Sequence, residues 1–128
     1  METTELEAEV YKALTSNEEL MGMLPEGGDI PIYHLFAPAV DNLQYPLLVY
    51  SPTSDVPIDY GDDEEMFHRV TIRISIVTVD GQYTELNKII RNIMTKELDF
   101  VRVNTTPSVD FDNQKIILNS EYRIVIES

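Results

Sequence analysis

Within residues 66–79 apolar and polar side chains alternate from Arg69 to Ile76: Val70, Ile72, Ile74 and Ile76 fall at every second position, with Arg69, Thr71, Arg73 and Ser75 between them. Successive side chains of a strand point to opposite faces, so this pattern builds one face that must be buried and one that need not be. A second layer is therefore required, and the next segment supplies it. After an Asp80-Gly81 turn, Leu86, Ile89, Ile90, Ile93 and Met94 fall on a single helical stripe, which predicts a helix over about 84–97 lying on the sheet.

The remaining elements follow from the same periodicities. Thr4-Glu5-Leu6-Glu7 reads as a capping box, and Leu6, Val10, Ala13 and Leu14 extend it into a helix over about 4–15. Asn17 caps a further turn through Glu18-Glu19-Leu20-Met21, stopped by Pro25 and Gly27-Gly28. Ile32-Tyr33 and Tyr45-Pro46-Leu47-Leu48-Val49-Tyr50 read as strands, with Pro46 marking a strand start or an edge. Asp112-Asn113 closes a hairpin between Val109-Asp110-Phe111 and a last strand carrying Ile116, Leu118, Tyr122, Ile124 and Ile126. The expected fold is α+β: an antiparallel sheet with two main helices packed on one face, in a single domain over residues 1–128.

One stretch breaks this regularity. Residues 51–65, SPTSDVPIDYGDDEE, hold two prolines, a glycine and six carboxylates, and read as a long, mobile acidic loop that orders on assembly. The loop belongs to a wider asymmetry. Residues 1–65 contain fifteen acids and one base, Lys12, whereas residues 66–128 contain eight of each, so the formal charge of −14 sits wholly in the first half.

Charge and composition narrow the function classes. An acidic chain lacks the clustered Lys and Arg that favourable counterion release on nucleic acid requires, and it is repelled by anionic membranes. Protein partners are expected instead. With no cysteine there is no disulfide, thiolate metal site or cysteine nucleophile. No apolar run approaches the roughly 18 residues of a membrane span, and METTELEAEV lacks the features of a signal peptide, so a cytoplasmic site of synthesis is expected.

His68 follows Asp62-Asp63-Glu64-Glu65 and invites a metal or acid–base reading, but the alternation places it in register with Val70 and Ile72, as a boundary histidine of the core. His34 stands alone beside Leu35-Phe36. DYGDDEEMF lacks the order of a calcium loop, and no nucleophile elbow, phosphate loop or dinucleotide fingerprint is present. No catalytic, cofactor or metal residue is expected. The candidate interface consists of Asp55, Asp59, Asp62, Asp63, Glu64 and Glu65 on the loop, with Arg69, Arg73 and Arg123 on the polar sheet face beside Glu121. The arginines form either a solvated ladder or a receptor for the acidic loop of a neighbouring copy.

In the order of its parts the whole chain resembles the tail-completion, or head-to-tail joining, family of siphophages and prophages. The parts are the opening helix and its Asn-Glu-Glu-Leu turn, Tyr45-Pro46-Leu47-Leu48-Val49, the long loop, His68-Arg69-Val70-Thr71-Ile72, the Asp-Gly turn with its amphipathic helix, and a closing Tyr122-Arg123-Ile124-Val125-Ile126. The resemblance implies a structural virion protein that caps the tail tube as a homo-oligomeric, hexameric ring. It would meet the tail tube protein on one side and the head connector on the other, with DNA passing through unbound. It implies no transferable site residues. Two other classes stand beside it: an acidic DNA mimic or regulatory protein-binding module, which the balanced second half disfavours, and a metal-dependent enzyme centred on His68.

Overall fold

The computed structural model describes residues 1–61 and 64–128, with side chains described outside 59–66. Two helices open the chain, α1 at Thr3–Ser16 and α2 at Glu18–Gly22, followed by the short strand β1 at Ile32–His34. Then come β2 at Leu47–Gly61, β3 at Glu64–Thr78, α3 at Thr84–Asn92, β4 at Val101–Asp110 and β5 at Lys115–Glu127. The five strands form one sheet in the order β1-β2-β3-β5-β4.

The sheet differs from the expected antiparallel one in a single pairing. β1 runs parallel to β2, with Ile32 opposite Leu48 and His34 opposite Tyr50, so the sheet is mixed. Parallel neighbours need a long crossover. Residues 35–46 supply it without regular secondary structure.

The larger correction concerns residues 51–65. The segment read as a mobile loop is strand over 51–61 and 64–65, and β2 pairs with β3 as far as Gly61 opposite Glu64. Prolines suggested a loop, yet an edge strand tolerates them because an outward-facing position has no ladder donor to lose. β1 covers β2 only near residues 48–50, which leaves the rest of β2 at the edge. The ladder shifts register between Pro52 and Ser54 and again after Pro57, so each proline borders a bulge.

The predicted faces hold. Val70, Ile72, Ile74 and Ile76 are buried, and they share one core cluster with Leu6, Val10, Leu14 and Leu20 of the N-terminal helices and Leu86, Ile89 and Ile90 of α3. Burying each such side chain is worth about 1.5–3 kcal/mol, which makes this seam the main source of stability. Ile93 and Met94 complete the α3 stripe in a π turn over Ile93–Glu97, where Leu98 N donates to Ile93 O at 3.1 Å.

The caps split between expectation and correction. Asn17 Oδ1 accepts from Leu20 N at 2.9 Å and starts α2 as expected. Thr4 does not cap α1: the helix begins at Thr3, its N-cap position is Glu2, and no side-chain cap bond forms there. Thr3 Oγ1 is instead spent on the Asp55 carboxylate, at 2.5 Å.

Candidate assembly interface

The side of the sheet away from the helices carries the residues between the buried ones, and strand register arranges them in rows. Val56, Arg69 and Val125 form one row; Ser54, Thr71, Arg123 and Val101 the next; Ser51, Arg73, Glu121 and Asn104 a third. Below them Ser75 Oγ donates to Asn119 Oδ1 at 2.6 Å, and Asn119 Nδ2 to Ser108 Oγ at 3.3 Å. The alternation of β3 and β5 therefore brings Arg69, Arg73 and Arg123 into one patch, as their spacing predicted.

The arginine rows are uncovered. Arg73 and Arg123 are exposed and Arg69 is partly so, while Val101 and Val125 are 59% and 50% exposed at the margin. The opposite end of the same face is closed, since Leu47 is fully buried and Val77 and Ile117 are partly so. Arg73 Nη2 meets Glu121 Oε1 at 3.1 Å, the one arginine–carboxylate pair of this face among the described residues. Three arginines against the described carboxylates Glu121 and Glu127 leave this end of the face less acidic than the chain overall. Arginine framed by valine is a composition that favours protein contact over simple solvation.

Of the carboxylates expected to complete this interface, Asp55 is the one whose side chain is described, and it stands apart from the arginines. Asp55 lies on the opposite, helix-facing side, where its Oδ1 stands 2.6 Å from His68 Nδ1 and its Oδ2 accepts from Thr3. The bond from Thr3, and then the His68 ring, hold its carboxyl below the usual range. Asp59, Glu64 and Glu65 pair through their backbones with Phe67, Gly61 and Tyr60. Their side chains, and Asp62 and Asp63 entirely, lie outside the described residues.

Both histidines bind carboxylates where the N-terminal helix meets the sheet. His68 is 4% exposed and in the register of Val70, the boundary position its spacing indicated, and its Nε2 lies 3.0 Å from Met1 O. His34 Nε2 pairs with Glu7, a buried acid of α1 that was expected to close the capping box with Thr4, and its ring stands 5.1 Å from that of Tyr50. Among the described residues no group of three or more His, Cys, Asp and Glu side chains is arranged to hold a metal ion. A cavity of about 520 Å³ lies between residues 25–33 and 38–44 and is lined by Glu26, Asp29, Tyr33, Asn42 and Gln44 among others. No described helix is long and apolar enough to cross a membrane. No protein-family model matches the chain, and no curated protein matches its sequence.

Proposed function

We propose that this chain is a structural joining protein without catalytic activity, working as a ring subunit that caps a phage tail tube and presents it to the head connector. The observation that carries the joining role is the uncovered sheet face, where Arg69, Arg73 and Arg123 converge within a margin of exposed valines. A sheet whose outer face is left open at its arginine end retains a surface there suited to a protein partner. Its arginines favour an acidic one. The tail-end assignment comes from the resemblance in element order, and under it the protein would reside at the head–tail junction of the virion and in the host cytoplasm during assembly. An acidic wall would also let DNA pass without adhering.

Electron microscopy of tails assembled with and without the protein tests this reading. A terminal ring that appears only with the protein is expected, together with failure of tails to join capsids in its absence. Tails that mature and join normally without it would remove the assignment.

A further inference from the structure

We infer that the partner of the arginine-bearing sheet face is the acidic outer surface of α1 and α2 on a second copy of this chain, an inference that rests on the joining role just given. The two surfaces lie on opposite sides of a two-layer molecule, because the helices contribute their apolar stripes to the core on one side of the sheet only. They also carry opposite charge. Outward on α1 and α2 stand Glu5, Glu9, Glu18 and Glu19 with a single base, Lys12, whereas the arginine end of the open sheet face carries Arg69, Arg73 and Arg123 against Glu121 and Glu127.

The strand edges are poor sites for self-association by comparison. β2 carries Pro52 and Pro57 beside its bulges, and β4 carries Pro107 and a register shift between Arg102 and Asn104. Proline removes donors and bulges twist an edge away, two devices that discourage strand addition. A symmetric face-to-face dimer would set arginine against arginine. Helix surface against sheet face is the complementary choice, and because the two patches differ, the contact is heterologous and propagates from copy to copy.

A charge-swap pair provides the test. One variant carries Arg69→Glu with Arg73→Glu, the other Glu5→Lys with Glu9→Lys, each checked for folding by circular dichroism and backed by Arg123→Glu should the first not fold. Sedimentation velocity at low salt should show self-association of the wild-type chain that weakens as salt is raised. Each variant alone should associate at least about tenfold more weakly, since like charges then face one another. Mixed one to one, every contact in an alternating assembly becomes complementary, and association should return. A monomeric wild type at all concentrations, or variants that stay apart when mixed, overturns the inference. Loss of association in the arginine variant alone, with the helix variant unaffected, overturns the helix surface as acceptor while leaving the joining role to the tail assay.

Discussion

The Asp55 carboxylate and the His68 ring, 2.6 Å apart, meet across the β2–β3 ladder on the helix-facing side of the sheet. Simple alternation from Tyr50 would have put Asp55 on the other face, next to Arg69. The extra residue at Thr53, in the register shift between Pro52 and Ser54, places Asp55 opposite Val70 instead. His68 in turn has acceptors at both nitrogens, the carboxylate at Nδ1 and Met1 O at Nε2. Held from both sides, the ring fastens the start of α1 to the ribbon.

This pair sets a pH dependence with a definite sign. The Asp55 carboxyl titrates below its ordinary value in the folded chain, so its contribution is complete above the unfolded value of about 3.9 and is lost as pH falls through the folded one. Asp55 is nearly half exposed, which limits the effect to about 1 kcal/mol. The stability difference between wild type and Asp55→Asn should shrink as pH falls below about 4. Urea melts across that range would refute this if the difference grew on acidification.

Deleting Thr53 should remove the bulge without moving the pairing on either side of it, since Pro52 already faces Ile72 and Ser54 already faces Thr71. Asp55 would then stay beside His68. Nuclear magnetic resonance titration of the deletion variant should find the Asp55 carboxyl still below the ordinary range. A return to the ordinary value would show that the bulge's twist, rather than its register, holds the pair together.

Tyr122 is wholly buried in the core, and among the described residues its hydroxyl makes no hydrogen bond of good geometry, with only the Ser120 side chain placed to interact with it. Burial also raises the pKa of its phenol. An unsatisfied hydroxyl costs free energy that its removal returns. Tyr122→Phe should therefore leave stability unchanged or raise it by about 1 kcal/mol, read as the midpoint of a denaturant melt. A loss of 2 kcal/mol or more would reveal a hydrogen bond that the geometry lacks.

Elements whose signal is carried by their own periodicity were legible in the sequence. Val70 to Ile76 fixed a half-buried strand, Leu86 to Met94 fixed the helix over it, and the same alternation sorted the arginines onto the open face. What sequence could not resolve depended on pairing between distant residues. Pro52, Pro57 and six carboxylates described a loop by composition, while the β-rich partner at 66–73 drew residues 51–61 into its ladder. Glu7 read as the glutamate of a capping box because its true partner, His34, lies on a strand with no local pattern linking the two. A bulge leaves no clear trace in composition, so the face of Asp55 was hidden as well.

Replacing Arg69 and Arg73 together with glutamate should leave the fold intact and abolish joining. Both residues lie on the uncovered face, opposite the buried Val70, Ile72 and Ile74, so the core loses no packing. The interaction given up within the chain is the half-exposed pair of Arg73 with Glu121, worth at most about 1 kcal/mol. New repulsion arises there too, because a glutamate at 73 would sit directly opposite Glu121, at a similarly small cost in water. At an assembled interface the outcome is larger, since reversing two charges at a contact repeated from copy to copy sets like charges together where water is excluded. Thermal melting should therefore shift by only a few degrees, roughly 1–2 kcal/mol, while ring formation or tail joining is lost. An unfolded variant would mean that this face is covered in the working protein, and a variant that folds and joins normally would reduce the arginines to a solvated ladder.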